Sequence, residues 1–360
     1  PSRRFWGRLD LGSLIDQMAI TTMQPTTASI LAFSLLLASS LHAQFNPLDW
    51  FGGEDEDLVA LNLASAADES EATDLLNSAK AKLAAGSTGS AERKLKKIIK
   101  KYPKTVASGD ARFLHGQILM EKGRWVKAFD ILQEIIFKHP NYENFNQVLS
   151  AQFDCATALM EGARGRILWI IPGFKQPGKA ASQFEQIVRN APYSDYAPLA
   201  LMNVALIYEQ EQRPEDAIDT LDRLINYYPQ SILAPDAYYN MAQTYSNLVN
   251  GAEYDQGSTR QAISYYEDFL ILFPQNSSLG EVESRLVAME DLLARSRLNL
   301  GDFFYNYRSN NTAALVFYND TITIAPESEA AEEARARIAD IEAGVQPTTG
   351  ASILRGFLAD

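Results

Sequence analysis

The chain has 360 residues, 46% of them apolar and 10% aromatic, which is enough to fill a large core and excludes wholesale disorder. Its 45 Asp and Glu against 32 Lys and Arg leave a net charge of -13, the wrong sign for a surface that must neutralise nucleic-acid phosphates. One cysteine, Cys155, excludes a disulfide framework and a cysteine-based zinc site.

The chain opens on Pro1, and Met18 and Met23 are candidate starts downstream. No charged side chain occurs from Gln17 to Leu48, and within that stretch the apolar block Ile30 to Ala38 runs into Ser39-Ser40-Leu41-His42-Ala43. A short apolar block ending in small residues has the form of a secretory signal, with cleavage expected after Ala43. The block is about half of the ~20 residues a membrane span needs. Residues 1–43 are therefore read as an upstream extension and signal peptide. Residues 44–70, with Phe45, Trp50 and Phe51 before the run Glu54-Asp55-Glu56-Asp57, are read as an acidic linker.

From residue 71 the chain becomes periodic. Six helical patterns end in Pro103, Pro140, Pro192, Pro229, Pro274 and Pro326. Twelve residues before each proline stands an alanine: Ala91, Ala128, Ala180, Ala217, Ala262 and Ala314. Eight before it stands a large residue (Leu95, Leu132, Phe184, Leu221, Tyr266, Tyr318), and four before it Ile99, Ile136, Val188, Ile225, Leu270 or Ile322. A small side chain lets another helix cross closely, large ones fill the groove, and proline stops the helix. The partner helices lie upstream, as in Leu201, Val204, Ala205, Tyr208 and again in Tyr238, Met241, Ala242, Tyr245. This is the pattern of the tetratricopeptide repeat. The spacing predicts helix pairs near 71–101, 107–138, 145–190, 196–227, 235–272 and 280–324, with a single helix at 328–342. The expected fold is all-α: a right-handed α-solenoid of about six tetratricopeptide-like pairs plus a capping helix over 71–343, sharing one continuous core, then a tail at 344–360.

Enzyme-like signals are few. Gly173 to Lys179 has the spacing of a phosphate-cradling loop, but Ala180 stands where a magnesium-binding Ser or Thr is needed, and no alternating strands could supply a parallel sheet. The stretch is read as a structured insertion between helices. Arg164, Arg166, Trp169 and Phe174 make it a basic and aromatic candidate docking site. The lysine run Lys94 to Lys101 is read as a solvated face. His115 and His139 have no Ser, Cys or acid placed for a triad and are read as structural. No catalytic residue, cofactor, metal or small-molecule substrate is expected.

Residues 199–342 resemble the BamD family, the tetratricopeptide lipoproteins of the outer-membrane β-barrel assembly machinery. The insertion Asn250 to Gly257 precedes Tyr265-Tyr266-Glu267-Asp268-Phe269. After Pro274 a long helix runs from Arg285 through Leu292-Leu293-Ala294 to Leu298, then into Gly301-Asp302-Phe303-Phe304-Tyr305, Arg308 and Ala313-Ala314. The resemblance implies a periplasmic interaction scaffold at the inner face of the outer membrane, whose partners are unfolded outer-membrane protein segments and a barrel-forming protein. Phe113, Gln117 and Met120 are the expected client groove, and Phe304, Tyr305, Tyr307 and Arg308 the expected partner dock. Leu41-His42-Ala43-Gln44 lacks the family's lipid-bearing cysteine, so attachment through partners is expected. A second reading is a periplasmic repeat protein coordinating cell-wall synthesis with constriction, though residues 44–90 lack the sustained heptads that such proteins often carry. A third, from a different class, is an envelope enzyme with the solenoid as accessory.

Overall fold

The computed structural model describes residues 64–162, 166–167, 171–172, 176–249, 251–252 and 256–345. The expected signal peptide, most of the linker and the tail beyond Val345 lie outside the described residues. Among the described residues there are thirteen α-helices, which pair as α1 (Ala66–Ala84) with α2 (Thr88–Lys101), α3 (Val106–Glu121) with α4 (Trp125–Lys138), and α5 (Phe145–Met160) with α6 (Pro177–Asn190). Then follow α7 (Tyr196–Gln210) with α8 (Pro214–Tyr227), α9 (Ala234–Leu248) with α10 (Gln256–Leu272), α11 (Leu279–Arg308) with α12 (Asn311–Ile324), and the single helix α13 (Glu329–Glu342). The expected solenoid of six helix pairs and a final helix is what forms. α1 starts at Ala66, inside the stretch read as linker, because the Ser65 side chain caps it by accepting from the Asp68 amide at 3.1 Å.

Local chemistry explains both kinds of turn. Within pairs, Gly86, Gly123 and Gln212 adopt φ of +72°, +67° and +59° just past the first helix. At each the next residue's amide reaches back five residues: Ser87 to Lys82, Arg124 to Leu119, Arg213 to Tyr208, all at 2.8–2.9 Å. This is the left-handed helix stop for which glycine is the cheapest residue. Between pairs, the residue before each proline is pushed out of the helical region; Tyr102, His139, Ala191, Tyr228 and Ala325 all have φ between -126° and -146°.

The six alanines are all fully buried, as are the large residues four positions after them. The third recurring position needs correction. The residues four before each proline are mostly half-buried, whereas those five before it (Ile98, Ile135, Ile187, Leu224, Phe269, Thr321) are almost completely enclosed. Two turns of a 3.6-residue helix advance 7.2 positions, so i+7 lies closer to the buried face than i+8.

Each helix packs on the next in sequence, and contacts that skip one helix join first helices: α1 to α3, α3 to α5, α5 to α7, and α11 to α13. First helices thus form the inner layer. The core is not continuous. Its buried residues fall into four groups, and the first group, from α1 to Ile118, is set apart from the main one where α3 carries the buried polar residues Ser108, Arg112 and His115. The last division follows from α11, which at 30 residues is roughly 45 Å long. Val282, Leu286 and Met289 pack with α9 and α10, while Ala294, Leu298 and Tyr305 pack with α12 and α13.

Inside the insertion, Arg166–Ile167 pairs antiparallel with Ile171–Pro172. This short ribbon is the one departure from an all-helical chain among the described residues. Its antiparallel register is unlike the parallel sheet a nucleotide-cradling loop would need.

Candidate partner-binding surfaces

Phe113, Gln117 and Met120 lie on one face of α3, with Gln117 exposed and the other two half-buried against the main core. The Phe113 ring sits 6.4 Å from Tyr142. The same offsets from the small residues Gly116, Ala156 and Ala205 pick out Phe153, Thr157 and Met160 on α5, and Met202, Leu206 and Glu209 on α7. Phe153 and Met202 are buried, so the inner layer continues the α3 surface as a strip through the half-buried Thr157, Met160 and Leu206, with methionine supplying adaptable contacts. Those α5 and α7 residues escaped the sequence reading, although Ala205, which orders the α7 set, was identified from its spacing. At the strip's end Glu209 accepts from the Thr244 hydroxyl at 2.9 Å, and burial pushes its carboxyl above the usual range.

The expected dock at the other end is only partly a surface. Tyr307 is 80% exposed, and Arg308 is exposed over the Phe303 ring at 5.4 Å. Phe304 is half-buried, stacked on Phe317 with centroids 5.3 Å apart. Tyr305 does not belong with them: it is 4% exposed and its hydroxyl donates to the Val345 carbonyl at 2.7 Å. Two residues from Tyr307, it projects from the opposite side of α11, because each step rotates about 100° around the helix axis. Phe303, which the sequence reading omitted, joins the exposed face with its ring 6.0 Å from Tyr307, and Val316 on α12 is exposed as well.

Beneath this face, Asp302 accepts from the Tyr318 hydroxyl at 2.7 Å and from Arg337 Nε at 3.2 Å, tying α11, α12 and α13 together. A Cβ at Gly301 would stand within clashing distance of Tyr318 Cε1, so the glycine is what lets α12 approach.

Arg166 lies in the ribbon's first strand, while Arg164, Trp169 and Phe174 lie outside the described residues. At the opposite end of this pair from the ribbon, the side-chain amides of Gln133, Gln152 and Asn190 bond one another across α4, α5 and α6 at 2.7–3.2 Å. The phosphate-loop spacing ends on Ala180, which is buried as the repeat requires.

The titratable groups are held as structure. Cys155 is buried and its thiol is pushed up to about 12, so it is no nucleophile at neutral pH. His115 is pushed below its ordinary value by burial and then by Lys96, with Glu92 pulling the other way. Buried Arg112 holds Glu134 at 3.1 Å and contacts His139 at 3.3 Å. Among the described residues no cluster of ligands is placed to hold a metal, and no helix is long and apolar enough to cross a membrane.

Residues 174–349 match a family described as Outer membrane lipoprotein (YfiO), and residues 76–143 match the tetratricopeptide repeat. An outer membrane protein assembly factor BamD from Rickettsia prowazekii is 27% identical over 148 residues, 41% of this chain and 59% of its own length. The BamD of Caulobacter vibrioides is 23% identical over 35% of this chain and 41% of its own. The chain thus spans about half the length of these relatives. Among solved structures, a tetratricopeptide repeat protein from Parabacteroides merdae aligns with 74% of this chain and 97% of its own at 16% identity and a TM-score of 0.34. With the repeat match over residues 76–143 and the lipoprotein match over residues 174–349, this chain is similar to the BamD tetratricopeptide-repeat lipoproteins.

Proposed function

We propose that the protein is a non-enzymatic periplasmic scaffold acting in the assembly of outer-membrane β-barrel proteins, with its two surfaces dividing the work. The inner strip from Phe113 through Met160 to Leu206 receives extended client segments. The α11–α12 face of Phe303, Tyr307 and Arg308, braced by Phe304, docks the periplasmic part of a barrel-forming partner. The observation that carries this reading is the lipoprotein-family match over the residues that build that face. Exposed aromatics beside an arginine are the chemistry of interface hot spots.

The test is affinity purification of the full chain from solubilised envelopes, alongside a variant carrying Phe303→Ala, Tyr307→Ala and Arg308→Glu. Recovery of the barrel-forming partner is expected to fall by about tenfold or more in the variant. Equal recovery would remove the docking assignment, and enrichment of a wall synthase by the unaltered protein would overturn the assembly role. A photoreactive residue at Gln117 is expected to crosslink unfolded barrel segments.

A further inference from the structure

Large apolar side chains left in water mean little when scattered and much when they recur at one place. Of the twelve among the described residues, seven lie within three positions of a helix-stopping proline: Val106, Phe137, Tyr193, Tyr227, Ile232, Ile271 and Leu272. Tyr193 is fully exposed and Tyr227 is 74% exposed. These prolines mark the turns from one pair to the next. Antiparallel pairing sets all such turns at one end of the helices and the turns within pairs at the other.

Contacts along the edge hold successive turns side by side. Glu69 at the start of α1 accepts from the Val106 and Ala107 amides at 3.0 and 3.2 Å. Tyr142, beside the second turn, donates to Asp110 at 2.9 Å, and Tyr228 donates to the Pro192 carbonyl at 2.7 Å. The opposite edge differs. In the first, second and fourth pairs the turns between the two helices expose no large apolar side chain, and the second and fourth carry Glu121, Lys122 and Arg124, or Glu211, Gln212 and Arg213.

Charge follows the same edge. Although the chain carries -13, the first three turns between pairs present Lys100, Lys101, Lys104, Lys138 and Arg189, exposed, beside Glu143 and Asp195. Lys101 is paired to Glu71 and Lys138 to Glu134, while Lys100, Lys104 and Arg189 are in no ion pair among the described residues. A row of one or two apolar tips per turn, with cations between them, is a poor match to a rigid protein pocket. It suits a deformable, anionic, amphipathic surface, where Tyr sits at the boundary between hydrocarbon and water and long cations reach headgroups. We propose that the edge formed by the turns between pairs lies on a phospholipid bilayer, its apolar tips in the headgroup layer and its lysines on anionic lipid. This contact needs neither a lipid anchor nor the assembly role.

Sedimentation of the full chain with vesicles of zwitterionic and anionic phospholipid tests it. A variant with Phe137→Ser, Tyr193→Ser, Tyr227→Ser, Ile232→Ser and Ile271→Ser is expected to bind about tenfold or more weakly. A control with Val287→Ser, Tyr307→Ser and Val316→Ser, exposed apolar residues elsewhere, should bind as the unaltered chain does. Raising salt from ~50 to ~500 mM should weaken binding further by screening the lysines. As a readout independent of folding losses, Tyr193→Cys labelled with an environment-sensitive dye should shift to the blue on vesicles; buried Cys155 would not compete for the label. No sedimentation of the unaltered chain, equal binding by both variants, or no dye shift at position 193 would overturn the proposal. So would an edge variant that alters self-association and leaves vesicle binding unchanged, since that assigns the edge to a protein contact.

Discussion

Glu92 belongs to the second helix of the first pair, within a lysine run that the helical pattern reads as a solvated face. Its carboxylate is instead nearly enclosed, bonded by Lys122 from the next pair and by Lys96 at 2.6 Å. The Lys122 bond first, and then the Lys96 bond, hold it at about 2, against the opposing effect of burial. Between that value and the ordinary 4.5 the unfolded chain binds a proton that the folded chain refuses. Its contribution to stability is therefore complete above about pH 4.5 and lost as pH falls toward 2. Glu92→Gln is expected to flatten the pH dependence of the denaturation midpoint across that window. At neutral pH it should cost about 1–2 kcal/mol, since both lysines it strands can still reach water. Denaturant titrations of both proteins at several pH values check this; parallel curves would show that Glu92 is not the group responsible.

At the scale of helices, the recurring alanine and the large residue four positions later were legible in one sequence because every pair repeats the same crossing. The receiving side of that crossing was less so. Gly116 faces Leu132 with space for no Cβ beyond 3.0 Å, and Gly301 faces Tyr318 more tightly still. A further recurrence, nine residues before the proline, went unread: Tyr265 stacks on Tyr245 and Phe317 on Phe304, each ring nearly parallel to its partner. Period alone does not reveal it, since it joins two helices separated by turns of different length. Gly301→Ala is expected to destabilise the last pair by about 1–3 kcal/mol, because the aromatic ring cannot yield as a flexible side chain would. Loss of hydrogen-exchange protection in α11 and α12, with α3 to α8 unchanged, is the measurement; protection equal to that of the unaltered chain would contradict the packing.

Across the whole described solenoid, stability is shared between neighbours, and an end pair depends on what covers it. α13 covers the last pair: Ala330 and Ala334 are buried, Ile338 and Ile341 pack on the same cluster, and Arg337 bonds Asp302. A chain ending before Glu329 should lose protection from Ala294 to Ile324 while pairs one to four keep theirs, measured by hydrogen exchange; uniform loss would mean a more cooperative molecule than its divided core suggests. The sequence by itself determined the helix pairs, their stops and their inward alanines, because those depend on local propensity and a period that each unit repeats. It also picked out Phe113, Gln117 and Met120 as one helical face. Only the tertiary structure decided that Tyr305 is buried while Tyr307 is free, that α11 splits the core, and that apolar side chains stay exposed at the turns between pairs. Each of these depends on which neighbour covers a given side of a helix, and that is set by stacking between units rather than by the residues within any one of them.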